Sequence, residues 1–112
     1  MSELSQSGVK FNPAQLVRIT RAANGQITWL EQGGEKAGLT HILNNHAAQF
    51  ADRGISASQI PDLLMRALNQ GTVIDQVRGG TIYQVIYNDI VQRIMIVTGS
   101  NGYIVTAHPW SP

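Results

Sequence analysis

Three histidines, His41, His46 and His108, carry the side chain whose ordinary pKa, near 6.5, allows proton exchange at neutral pH. Two of them stand close together, in Gly38-Leu39-Thr40-His41-Ile42-Leu43-Asn44-Asn45-His46. On a helix this i, i+5 spacing separates the rings by about 140°, since each residue advances about 100°. A His-x-x-x-His metal pair needs i, i+4 on one face, so the spacing disfavours a metal site. His46 falls on the apolar side of the segment and reads either as a core histidine holding a carbonyl or as a partner in acid–base chemistry. His41 falls nearly opposite, as a polar residue of the first turn or as a general acid or base.

The segment Thr98-Gly99-Ser100-Asn101-Gly102-Tyr103-Ile104-Val105-Thr106-Ala107-His108 brings hydroxyls, an amide and glycine N–H groups into one turn, a set suited to gripping a phosphate. The same glycines also suit a turn chosen only for its backbone angles. Strand alternation puts Thr106 and His108 on one face and Tyr103 on the other. Arg78 and Arg93 are the cations nearest this region in sequence, and Arg93 reads equally as an edge or surface residue. Tyr83, Tyr87 and Tyr103 could stack on splayed bases, although strand tyrosines usually pack. The seven carboxylates (Glu3, Glu31, Glu35, Asp52, Asp62, Asp75, Asp89) are scattered, so a two-metal nuclease or a paired-carboxylate glycosidase has little to build with. There is no cysteine, which excludes disulfides, thiolate metal sites and thiol nucleophiles.

These residues must be positioned by one small domain. The chain has 112 residues, 43% hydrophobic, enough for one core. Charged residues are 13% and the net charge is +1, which argues against a strongly basic nucleic-acid coat. Residues 1–8 (MSELSQSG) read as a polar, flexible leader without the basic start and apolar run of a signal peptide, and residues 9–112 as the domain. No stretch approaches the roughly 18 consecutive apolar residues that span a bilayer.

Asn12-Pro13 suits a helix cap and a short helical turn through Leu16. Val17 and Ile19, then Ile27 and Trp29, alternate about Asn24-Gly25 and predict a hairpin over 17–30. Leu39, Leu43, His46 and Phe50 predict a helix over 38–52 that ends at Gly54. Leu63, Leu64, Ala67 and Leu68 predict a second helix over 57–69, capped by Ser56 or Ser58, with Pro61 in its first turn. The runs 72–77, 81–87, 91–98 and 102–107 are rich in β-branched and aromatic residues and predict a meander. The expected class is α+β: a hairpin and short helix, then two helices packed on a curved four- to five-stranded antiparallel sheet whose other face stays open.

Taken in order, Val9-Lys10-Phe11-Asn12-Pro13, Gly25 to Gly33, Ala37 to Ile42, His46, Phe50-Ala51, Gly54-Ile55-Ser56, Gln59-Ile60-Pro61, Ile82 to Val85 and Gly99 to Val105 form a connected pattern. This pattern resembles the C-terminal ribonuclease domains of bacterial polymorphic toxins, of the contact-dependent inhibition (CdiA) and WapA types. The resemblance implies the fold of the barnase–EndoU–colicin–RelE (BECR) superfamily. It also implies a metal-independent, cofactor-free endoribonuclease, commonly a tRNase, neutralised by a cognate immunity protein. Such a domain travels at the cell surface within a larger toxin and acts in the target cytoplasm, in some members together with elongation factor Tu. The positions carried over are His41, His46, the Thr98/Ser100/Asn101 turn and Tyr103. Where such domains often read Gly-Ala-Asn-Pro, this chain has Thr106-Ala107-His108-Pro109, which speaks against a catalytic His108.

The mechanism this implies is attack of a ribose 2′-OH on its own 3′-phosphate, giving a 2′,3′-cyclic phosphate. Here His41 moves the proton, with His46 as its partner or support and Thr98 and Tyr103 beside them. Arg78, Arg93, Ser100 and Asn101 hold the phosphate. Two alternatives remain open at this point: a non-catalytic protein-binding module, immunity-like or adaptor-like, favoured by the low charge, and a DNase of the same toxin class.

Overall fold

The computed structural model describes residues 15–22, 25–77, 79–99 and 101–110, and the fold they form is α+β. β1 (Leu16–Arg21) and β2 (Ile27–Glu31) pair antiparallel, with Ile19 opposite Trp29 and Arg21 opposite Ile27. Antiparallel pairing and a left-handed Gly25 (φ 90°) make this the expected hairpin, although β2 buries Ile27, Thr28, Trp29 and Leu30 in one run rather than on alternate positions. The helical turn expected at Asn12-Pro13 lies outside the described residues. Leu16, its anticipated end, already belongs to β1, because it pairs with Glu31.

α1 (Gly38–Asp52) occupies the range its periodicity predicts. It buries Leu39, Ile42 and Phe50, while Leu43 and His46, expected on the same stripe, stay part-exposed. Ser56 rather than Ser58 starts the second helical segment. Its N–H donates to Gln59 Oε1 at 2.9 Å, closing a capping box over the 3₁₀ turn Ala57–Gln59. α2 (Ile60–Gln70) follows directly, with Pro61 in the first turn, where a missing N–H does no harm. Its inward stripe of Ile60, Leu63, Leu64, Ala67 and Leu68 is almost wholly removed from water, each large side chain contributing roughly 1.5–3 kcal/mol. On its outer side, Asp62 accepts a hydrogen bond from the Tyr87 hydroxyl at 3.0 Å, and the Arg66 guanidinium lies 5.5 Å from the Tyr87 ring centroid.

β3 (Thr72–Val77), β4 (Gly80–Tyr87), β5 (Ile90–Thr98) and β6 (Ile104–Pro109) form an antiparallel meander in sequence order. β6 begins two residues later than expected. Gly102 has φ 104°, a left-handed backbone that ends the turn rather than opening a strand. The ladder then skips Val105, since Thr98 pairs with Ile104 and Val97 with Thr106. This bulge lets Ile104 and Ala107, three residues apart, both enter the core. Pro109 sits opposite Ile94, and Trp110 N–H donates to the Arg93 carbonyl at 2.9 Å. The ladder alternation makes the Ile94–Pro109 pair the non-hydrogen-bonded one, so the proline leaves no bond unmade.

Both helices cover one face of the sheet, where Val85, Tyr87, Ile94, Ile96 and Ala107 meet Ile42, Phe50, Leu64 and Leu68. The opposite face is open around Ile86, Val91 and Arg93, whereas Ile82, opposite Met95 on the same face, is fully buried. Cross-strand pairs there are Ile86 with Val91, Gln84 with Arg93, and Met95 with His108. The hairpin reaches β6 through Trp29, whose N–H donates to the Gly102 carbonyl at 3.0 Å beside a parallel bridge to Tyr103. No described helix is long and apolar enough to cross a membrane.

Candidate functional site

α1 runs along the free edge of β6, and this packing gathers all three histidines. The ring centroids of His41 and His46 lie 5.8 Å apart with planes near perpendicular, and those of His46 and His108 lie 5.3 Å apart at a tilt of 37°. The 140° separation along the helix does not keep His41 and His46 apart, because both imidazoles lean over the same stretch of surface. All three rings are part-exposed. His46 is therefore not the buried core histidine that its place on the apolar stripe suggested as one reading.

Each imidazole is held through Nδ1. That of His41 lies 2.9 Å from the Glu35 carbonyl, which can only accept, so this contact requires Nδ1–H as donor. The Asn45 side-chain amide lies 3.1 Å from the same nitrogen and also donates to the His41 carbonyl at 2.9 Å. His46 Nδ1–H donates to Gln49 Oε1 at 2.9 Å, and His108 Nδ1–H to the Pro109 carbonyl at 2.8 Å. A proton on Nδ1 leaves a lone pair on Nε2 in the neutral ring. Three such nitrogens, each fixed from behind, make a compact set of proton acceptors and, once protonated, donors. Among the described residues, no group of three or more His, Cys, Asp or Glu side chains is arranged to hold a metal ion.

The other anticipated residues are spread more widely. Thr98 is exposed at the end of β5, opposite Ile104, at the far end of β6 from His108. Ile104 and His108 are four residue steps apart, roughly 13 Å at about 3.3 Å per residue. Asn101 Oδ1 accepts the Tyr103 N–H at 3.1 Å and so serves its own turn. Tyr103 packs edge-on against Trp29 at 6.1 Å between centroids, with its hydroxyl against Gly38. Burial, and then the Glu31 charge, push the Tyr103 hydroxyl above its usual pKa. Glu31 is itself held there, accepting from Trp29 Nε1 at 2.9 Å. Tyr83 is likewise pushed up by burial. Arg93 lies exposed on the open face, and its Nε donates to Gln84 Oε1 at 3.0 Å. Arg78 and Ser100 lie outside the described residues.

Sequence reasoning set His108 aside, and the tertiary structure puts it against His46. The signal was present in the shared strand face of Thr106 and His108, but nothing local could show which helix would cover that edge. Trp110, part-exposed one residue beyond β6, was not singled out either.

Fold and site together define an α+β domain with an open antiparallel face and a surface histidine cluster at its edge. Comparison with known proteins finds no family that matches the chain and no curated protein that matches it.

Proposed function

We propose that this domain is a metal-independent endoribonuclease that cleaves by attack of a ribose 2′-OH on the adjacent phosphorus. The observation that carries this reading is the contact of His46 with His108, both residues part-exposed and both rings tied through Nδ1. The reaction needs a base to take the 2′-OH proton and an acid to give one to the departing 5′-oxygen. The O2′–P bond forms, the P–O5′ bond breaks, and a 2′,3′-cyclic phosphate and a 5′-hydroxyl result. One neutral imidazole and one protonated neighbour perform both transfers. His41, in contact with His46, supports its orientation and proton supply. Arg93, on the open face, offers the charge that binds the phosphate.

The resemblance to polymorphic toxin domains extends the proposal. tRNA is then the substrate, a cognate immunity protein the inhibitor and elongation factor Tu an accessory partner. Delivery is from the cell surface and action is in the target cytoplasm. A second reading, a protein-binding module, is favoured by the low charge and by the exposed apolar residues Val73, Ile74, Ile86, Ile90 and Val91.

The deciding experiment is incubation of tRNA with the purified chain in EDTA, followed by analysis of the new ends. Cleavage leaving cyclic phosphate, abolished by His46→Ala, is expected. Intact RNA, or cleavage that needs a divalent cation, would sink the reading. Plasmid DNA in a parallel tube separates a DNase.

A further inference from the structure

We infer that Trp110 and Arg93 form a platform for an unpaired nucleobase and its phosphate, next to His108, so that the substrate is a single-stranded or looped segment of RNA. This rests on the ribonuclease reading for its biological meaning, although the binding it describes does not require cleavage.

The argument begins with the ladder. His108 stands opposite Met95 on the open face, and the Trp110 N–H bond to the Arg93 carbonyl extends the same pairing by one step. Residues opposite each other in an antiparallel pair have Cβ atoms about 4.5–5.5 Å apart. Period-two alternation puts Trp110 on the face of His108, and Arg93 on the face of Met95. Two strand residues advance about 6.6 Å. Trp110 and Arg93 thus hold opposite positions on neighbouring strands, one short step along from His108 and Met95.

Their chemistry suits one ligand class. Trp29, the other tryptophan, is 1% exposed and belongs to the interior, whereas Trp110 is part-exposed at the end of an edge strand. An exposed indole stacks on any base, because every base has a π-face. Arg93 is exposed and anchored by Nε on Gln84, its cross-strand partner, which restrains the plane of the guanidinium. Such a fork suits a phosphate. The low charge of the chain, +1 overall, makes stacking the more needed, since a general basic field cannot supply affinity. A base-paired duplex hides its base faces in the stack and cannot use this platform.

The test uses the full chain and a 2′-O-methyl hexanucleotide, which cannot undergo 2′-OH attack, as a single strand and annealed to its complement. Binding is read by anisotropy of the labelled oligonucleotide and by quenching of tryptophan emission, with far-UV circular dichroism confirming that each variant folds. Single-strand binding that quenches emission is expected, with at least 10-fold weaker binding of the duplex. Trp110→Ala should weaken single-strand binding about 10-fold. Trp110→Phe should keep most of the affinity but lose the quenching. Unchanged affinity in Trp110→Ala, or equal binding of duplex and single strand, overturns the platform even if unmodified RNA is still cut. Tight, Trp110-dependent binding without cleavage of unmodified RNA upholds the platform and overturns the ribonuclease reading alone.

Discussion

His46 and His108 lie on different elements, yet their rings meet at 5.3 Å between centroids and a tilt of 37°, and each ring is fixed by an oxygen acceptor at Nδ1. The pair exists because α1 packs along the edge of β6. Substituting either ring by alanine should lower RNA cleavage by roughly 100- to 10,000-fold, the usual worth of one acid–base group. Single-turnover cleavage in EDTA measures it. A His108→Ala variant with normal turnover would remove that residue from the chemistry.

Gln49 holds His46 from behind, and its loss should leave the ring present but free to rotate. Gln49→Ala is therefore expected to reduce turnover by about 10-fold, less than His46→Ala, while Gln49→Glu retains an acceptor and most of the activity. Parallel cleavage assays of the three variants check the order. Equal rates for Gln49→Ala and the unaltered chain would show that the contact is incidental.

Thr106 Oγ1 is buried without a hydrogen-bond partner among the described residues. Leaving a hydroxyl unpaired costs stability, and valine has nearly the same shape without the polar atom. Thr106→Val should therefore be neutral or stabilising by about 1 kcal/mol, as read from a urea unfolding midpoint. Clear destabilisation would mean that the hydroxyl has a partner.

Gly102 and Gly25 both have positive φ, 104° and 90°, but differ in their surroundings. A Cβ at Gly25 would meet nothing within 4 Å, whereas at Gly102 it would run into the Ile27 carbonyl and lie 3.2 Å from Trp29 Cζ3. Gly25→Ala should cost about 1 kcal/mol from backbone strain alone. Gly102→Ala should cost about 3 kcal/mol, because the hairpin must also shift away from β6. Thermal unfolding of the two variants side by side decides whether the close approach matters.

Three tyrosines, Tyr83, Tyr87 and Tyr103, have their hydroxyls pushed above the ordinary value of 10.0, in each case chiefly by burial. Above that pH the unfolded chain releases these protons while the folded chain still holds them. Their contribution to stability is thus complete below about pH 10 and is lost as pH rises through the folded values. Urea midpoints between pH 8 and pH 11 should fall at the alkaline end, and Tyr103→Phe should make the fall shallower. A flat profile in the unaltered chain would contradict the burial of these hydroxyls.

Local order was legible in the sequence wherever the deciding forces are local. The periodicity of Leu39, Leu43, His46 and Phe50 marks the range of α1, although Ile42 rather than Leu43 and His46 is buried; the alternation about Gly25 marks the hairpin, and β-branched runs between turns mark the meander. The bulge at Val105 was not legible, because strand alternation carries no mark of where a residue will be skipped. Nor could periodicity within one helix foresee that His41 and His46 would lean together.

By itself, the sequence determined the elements, their order and the supply of chemistry: three imidazoles, few charges, no thiol. Only the tertiary structure decided which of those groups meet. It joined His46 to His108, moved Tyr103 to Trp29 and Gly38, and set Trp110 beside Arg93. The physical reason is range. Secondary structure follows from neighbours a few bonds away, while a site depends on which hydrophobic stripe packs against which strand edge, a choice made by the whole core at once.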